Sequence, residues 1–303
     1  MEPHLEVDGV TKRYARVLAV DRLTMRVPRG AVFGLLGPNG AGKTTTIRMI
    51  MRITLPDGGE IRLGGRAVDD ELREAIGYLP EERGLYRRMR VHEHLVFLGE
   101  VRGLARAEAR RRAAEWLEKL DLGGKASARV EELSKGMQQK VQFAGAVIHR
   151  PEFVILDEPF TGLDPIATRA LKDEILAMRE AGTTVLLSTH VLPQAEELCD
   201  HICLVNRGRA ILQGALAEVR ATFTRPALRV VTAARDEQIA AVPGVASVVP
   251  ADGARIVEIA PGTAAPALLR ELAAAVPLES AERFAESLEG IFLRAVEADR
   301  ALA

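Results

Sequence analysis

Cysteine is nearly absent. Cys199 and Cys203 are the only two, which rules out a disulfide framework. With His201 between them they form a thin metal set lacking a fourth ligand nearby, so they read as small apolar residues at a helix-to-strand junction. His92 and His94 invite the same suspicion and read instead as residues near a helix start. An excess of one charge is also missing. The net charge of −1 removes the bulk electrostatic argument for a nucleic-acid partner. Lysine is confined to positions 12, 43, 119, 125, 135, 140 and 172, so arginine carries most of the positive charge, in the manner of a coding bias. No uninterrupted apolar run approaches ~18 residues, so the sequence predicts no membrane-crossing helix. The uncharged stretch Gln238–Ala251 is interrupted by Pro243, Gly244 and Pro250. The opening MEPHLEVDGVTKRY has acidic residues and no apolar core, unlike a secretory signal. These absences predict a soluble, cytosolic chain. Its 303 residues suit two domains, with 48% hydrophobic residues for their cores.

One stretch organises what is present. Ala31–Leu36 is a short apolar run of buried-strand composition. It leads into Gly37-Pro38-Asn39-Gly40-Ala41-Gly42-Lys43-Thr44, a full G-x-x-x-x-G-K-[ST] phosphate-binding loop, with Thr45 following. Ile47, Ile50 and Met51 then recur at the spacing of one helical face. The glycines allow backbone N–H groups to turn inward onto a phosphate chain, and the helix start adds its positive dipole end. Lys43 is placed for the β- and γ-phosphates and the Thr44 hydroxyl for Mg²⁺. The motif predicts nucleoside triphosphate binding.

Before this loop, Leu5–Val10 and Val17–Val27 alternate as strands, an antiparallel lead-in unlike that of Ras-type proteins. Tyr14 is either an ordinary sheet tyrosine or an adenine-stacking ring. Asp57–Gly65 and Ile76–Pro80 contain further strands, and Glu81 follows the second. Helix formers run from Val91 to about Leu120, and the Arg106–Arg112 run reads as the solvated face of a helix. Ser134 precedes another helical stretch as an N-cap. Phe153–Leu156 is an apolar strand ending in Asp157 and Glu158. In a parallel sheet those carboxylates lie beside the phosphate loop, Asp157 for Mg²⁺ and Glu158 for the attacking water. Thr184–Thr189 is one more strand, ending at His190, which is either structural or a γ-phosphate sensor. Beyond Leu216 the order β-α-β-β-α-β predicts a small ferredoxin-like α+β domain over 221–303, after a first domain over 1–220.

With these pieces in order, residues 1 to about 220 resemble the ATP-binding subunits of ABC transporters. Gly37–Thr45 is similar to Walker A, Leu133-Ser134-Lys135-Gly136-Met137-Gln138 to the LSGGQ signature, and Phe153–Pro159 to Walker B. Gly162–Pro165 is similar to the D-loop and His190 to the switch histidine, and Tyr14 falls at the adenine-stacking position. Two departures stand out: the signature reads SKGMQ, and Glu81 occupies the usual glutamine position of the Q-loop. The wording IGYLPEERGLY, LSKGMQQK and SLEGIFL resembles the sodium-extrusion and drug-export ATPases of the ABC-2 type, which carry a C-terminal appendage.

The resemblance implies a P-loop NTPase fold of the α/β class: a RecA-like core, an antiparallel β subdomain, a helical subdomain and the α+β appendage. It implies ATP and Mg²⁺ as ligands. Glu158 is then the catalytic base, Lys43 and His190 stabilise γ-phosphate charge, and Thr44, Asp157 and Glu81 surround the metal. Ser134, Gly136 and Gln138 would contact ATP held by a second copy, making a homodimer or paired subunit on ATP binding. An integral membrane permease would be the partner, reached through the helical insert and Glu81–Leu98, with the chain peripheral on the inner membrane face. A soluble ABC ATPase acting on DNA or the ribosome and an importer ATPase are the competing readings.

Overall fold

The computed structural model describes residues 3–82 and 84–302. Two compact units emerge: one runs to Leu216 and takes in the segment from Ala295, and the other spans Ala217–Arg294.

In the first unit, β1 (Pro3–Tyr14) and β2 (Val17–Pro28) pair antiparallel along most of their length. Their inward residues Leu5, Val7, Val10, Val20, Leu23 and Met25 are fully buried, the alternation expected of a half-covered antiparallel pair. Next come β3 (Val32–Leu36) and helix α1 (Lys43–Ile50), then β4 (Gly58–Leu63) and β5 (Arg66–Ala67). Strands β2-β1-β4-β5 make the antiparallel sheet. The short α2 (Asp70–Ala75), capped by the Asp69 carboxylate accepting from the Leu72 N–H, leads into β6 (Gly77–Leu79).

Helices α3 (Val91–Val101), α4 (Arg106–Lys119) and α5 (Lys135–Val147) form the helical part. The helix-forming run from Val91 to Leu120 is therefore two helices. Gly103, in the left-handed region at φ 83°, ends the first, as glycine does just beyond many helix C-termini. Arg106, Arg110 and Arg111 of α4 face solvent, but Arg112 is partly buried and donates to the Ile148 carbonyl at 3.0 Å; Glu108 pairs with both Arg111 and Arg112. His94 is fully buried in α3 against the Tyr86 ring, and burial pushes its imidazole down to about 4.

β7 (Phe153–Asp157), α6 (Pro165–Glu180), β8 (Thr184–Thr189), α7 (Leu192–Leu198), β9 (His201–Asn206) and β10 (Arg209–Ala215) complete the unit. The second sheet runs β10-β9-β3-β8-β7-β6, with every pair parallel except β9–β10. All residues of β3, β7 and β8 are buried, which explains the apolar runs Val32–Leu36, Phe153–Leu156 and Val185–Leu187, with the buried polar residues Thr184, Ser188, Thr189 and Asp157 at the ends of β8 and β7. Cys199 and Cys203 are buried, and burial pushes the Cys203 thiol up to about 12; among the described residues no metal-competent cluster of His, Cys, Asp and Glu exists.

At the amino ends of the strands, His4 Nδ1 lies 2.7 Å from the Thr184 hydroxyl, which accepts the Gly30 N–H at 2.8 Å. The His4 ring also meets Phe153 edge-on, at 5.4 Å between centroids. Phe153 is 2% exposed, so Phe153→Ala should lower stability by about 3–5 kcal/mol, read as a shifted midpoint in urea.

The second unit follows α8 (Leu216–Phe223) with β11 (Ala227–Thr232), α9 (Asp236–Ala240), β12 (Val245–Ala251), β13 (Ala254–Ile259), α10 (Ala265–Ala275) and β14 (Leu278–Arg283). One antiparallel sheet forms in the order β12-β13-β11-β14, and Leu228, Val230, Val257, Leu268 and Leu272 make its core. Helix α11 (Leu288–Leu302) closes the described chain.

Candidate active site

The carboxyl ends of β3, β6, β7, β8 and β9 all reach one edge of the parallel sheet, where an open α/β sheet places its ligand crevice. The phosphate loop leaves β3 there, and Glu81 follows β6. Asp157 ends β7 and Glu158 follows it, His190 follows β8, and Arg207 follows β9. A cavity of about 590 Å³ is lined by Asn39, Gly40, Gly42, Lys43, Thr44 and Thr45 of the loop, with Glu81 and Glu158 facing them. Val17, Leu18, Ala19 and Arg207 complete its wall. A second cavity of about 570 Å³ contains Tyr14 and Asp157 and shares Thr44 and Glu81 with the first.

Lys43 is 5% exposed and donates to the carbonyls of Gly37 at 2.7 Å and Pro38 at 3.2 Å. Its ammonium lies 4.0 Å from Glu158. Burial pulls the Lys43 ammonium below its usual range, while Glu158, Asp157 and Glu81 pull it back up. Glu158 has the left-handed backbone φ of 50° that brings its side chain into the cavity. Its carboxylate accepts from the His190 N–H at 3.1 Å and the Thr189 hydroxyl at 3.2 Å, and it meets His190 Nδ1 at 2.8 Å.

Asp157 is 1% exposed, and burial pushes its carboxyl above the usual range. The hydroxyls of Ser188 and Thr44 are near enough to favour the ionised form, yet neither completes a hydrogen bond of normal geometry, so both carboxylate oxygens are orphaned. Two buried acceptors without donors, beside a threonine hydroxyl, suit a small divalent cation that takes one or two carboxylates together with substrate phosphates.

Loop and helix contacts hold these groups in place. Gln142 of α5 donates to the carbonyls of Pro80 and Glu82 at 3.0 and 3.2 Å, bracketing Glu81. Gln139 donates to Pro159 O at 3.0 Å, just beyond Glu158.

Of the sequence-predicted residues, Gly37, Pro38 and Ala41 shape the loop behind Lys43, while Asn39, Gly40, Gly42, Lys43, Thr44, Thr45, Glu81 and Glu158 converge on one cavity. Tyr14, 43% exposed, and Asp157 reach the adjoining cavity, and His190 arrives through Glu158. Ser134, Gly136 and Gln138 line neither cavity. Ser134 caps α5 by accepting from the Met137 N–H, Gln138 donates to the Val130 and Leu133 carbonyls, and Gly136 approaches Gly162 and Leu163. Thr189 and Arg207 are additions that the sequence reading passed over; for Thr189 the signal was the polar end of an otherwise apolar strand.

The "ABC transporter" family profile matches residues 20–161, and that of the "ATP-binding protein DrrA1-3-like, C-terminal domain" matches 214–296. The chain is 44% identical over 219 residues to the ABC transporter ATP-binding protein YhaQ of Bacillus subtilis (strain 168), covering 72% of this chain and 74% of that one. It is 41% identical over 215 residues to the Nod factor export ATP-binding protein I of Ralstonia nicotianae, covering 70% and 67%. A solved structure described as the ATP binding subunit of an ABC transporter superposes with a TM-score of 0.68 at 36% identity, covering 72% of this chain and 92% of that one. The fold, the phosphate loop with its facing carboxylates, and these similarities agree: the chain belongs to the ABC transporter ATP-binding proteins and is an ATP-binding, ATP-hydrolysing subunit.

Proposed function

We propose that this chain powers export through a separate membrane permease by closing on ATP with a second ATPase copy and reopening after hydrolysis. The observation that carries the pairing is the division of the predicted ATP contacts. Lys43, Thr44 and Glu158 share a cavity, whereas Ser134 and Gly136 line neither that cavity nor its neighbour. A signature located away from its own phosphate loop is available to ATP held by a partner copy. Export is supported by the Nod factor export relative.

In the paired site Lys43 and the loop N–H groups bind the β- and γ-phosphates, and Tyr14 stacks on adenine. Thr44 and Asp157 would hold Mg²⁺ with Glu81 beside it, and the ion would neutralise charge on the phosphate oxygens. Glu158 takes a proton from the attacking water as its oxygen bonds to the γ-phosphorus and the bond to the bridging oxygen breaks. His190 and Lys43 stabilise the charge that gathers on the γ-oxygens.

For the permease, a groove of about 500 Å³ has apolar walls from Met51, Ile53, Leu85, Leu98 and Val101 and a rim of Arg73, Glu74 and Arg102. Ile53 is 60% exposed and Val101 65%, and with the groove's apolar walls they form a surface suited to a short amphipathic helix. Docked there, the chain is peripheral on the inner face of the membrane.

Affinity purification from gently solubilised native membranes tests this reading. A stoichiometric polytopic membrane protein is expected with the parent chain, and its recovery should fall about tenfold with Val101→Asp, which places a charge in the groove. Recovery of the parent with ribosomes or DNA and without a membrane protein would overturn the transport output.

A further inference from the structure

We propose that Arg207 is a further substrate-binding residue, its guanidinium gripping the phosphate chain of the nucleotide; this rests on the reading of the Lys43 cavity as the ATP site. Asn206 pairs with Arg209, so the β9–β10 hairpin has the two-residue loop Arg207-Gly208, both left-handed at φ 48° and 81°. Such a loop favours asparagine or glycine at its first central position, and arginine there is locally disfavoured.

Three contacts lock the hairpin, one onto the phosphate loop and two onto Asp21 of β2. The Gly208 N–H donates to Ala41 O at 2.8 Å, the Asp21 N–H donates to Gly208 O at 2.9 Å, and Arg209 Nε donates to the Asp21 carboxylate at 2.7 Å. A Cβ placed on Gly42 would meet the Gly208 Cα at 3.4 Å, so loop and hairpin touch backbone to backbone. The position of Arg207 against the cavity is therefore set by the loop that binds the phosphates.

Charge decides what the side chain does there. The cavity wall contains two carboxylates, Glu81 and Glu158, and the cations among its described residues are Lys43 and Arg207. Lys43 alone would leave the wall net negative toward a polyanion, and Lys43 is already engaged by two carbonyls with Glu158 4.0 Å away. Arg207 is exposed, brings the wall to balance, and among the described residues has no side-chain ion pair or hydrogen bond, unlike Arg209 beside it. A planar guanidinium also binds phosphate oxygens two at a time, which an ammonium cannot.

The test compares dissociation constants of the full-length parent, Arg207→Ala, Arg207→Lys and Lys43→Ala for ATP, ADP and adenosine. Arg207→Ala is expected to weaken ATP and ADP by about tenfold while leaving adenosine unchanged, with part of the loss restored by Arg207→Lys. Equal weakening of ATP and adenosine would reduce Arg207 to a structural part of the hairpin and overturn the proposal. Parent-like ATP binding by Arg207→Ala, with binding lost in Lys43→Ala, would also overturn it while leaving the cavity assignment intact. Parent-like binding by both variants would remove the cavity assignment itself.

Discussion

Glu158→Gln lowers ATP turnover by about 10²–10⁴-fold, the range for losing a positioned general base, and lets ATP-bound dimers accumulate. Glutamine keeps the length and planarity of the side chain, so its oxygen can still meet the Thr189 hydroxyl and the His190 N–H, now 3.2 and 3.1 Å from Glu158. What disappears is the charge that takes the proton. Because the loop and Lys43 remain, ATP still binds and closes the pair, and the closed state has no outlet. Phosphate release and size-exclusion chromatography with ATP measure the two effects. A variant with full turnover would transfer the base role to another group, and one that never dimerised on ATP would remove the ATP-bound pair from the proposal.

Gly37→Ala is expected to cost about 3 kcal/mol or more and to abolish the stabilisation that ATP confers on the parent. A Cβ at Gly37 would stand 2.2 Å from the carbonyl oxygen of Val205, and its φ of 152° is already beyond the ordinary range of L-residues. The obstacle is backbone, so no rotamer change relieves it. Strand β3 pairs with β9 through Leu36 and Leu204, so the clash must open the sheet at the point where the phosphate loop departs. Thermal melts with and without ATP report both consequences. An unchanged melting temperature with a full ATP shift would mean that the two strands do not approach so closely.

Much of this was legible in the sequence because burial leaves a plain mark. β3, β7 and β8 are covered on both faces, and their apolar runs, followed by Gly37, by Asp157 and by Ser188-Thr189-His190, announce both the strands and the edge where their ends meet. The loop could be read because its chemistry tolerates few residue types. Other features depend on partners that sequence spacing does not reveal. The interruption between α3 and α4 turns on one left-handed glycine inside a helix-forming composition. The grip of Gln142 on the segment around Glu81 joins residues about sixty positions apart and has no periodic signature. Arg207 had even less to show, since one exposed arginine among many becomes distinctive only once β9 is seen beside β3. The same holds for Asp157, whose place at a strand end was readable but whose two orphaned oxygens were not.

The strand order also governs how the molecule is made. β3 leaves the ribosome early, yet both its neighbours, β8 and β9, are encoded about 150 residues downstream. At about 5–20 residues per second that interval lasts roughly 10–30 s, during which Val32, Phe33, Leu35 and Leu36 have no strand to join. The antiparallel pair β1–β2 can form at once from local contacts, but the phosphate loop cannot take its final shape until the chain has been synthesised through Gly208. A chain stalled before Thr184 would expose an apolar strand with free edges on both sides, a natural client for chaperones and a seed for aggregation.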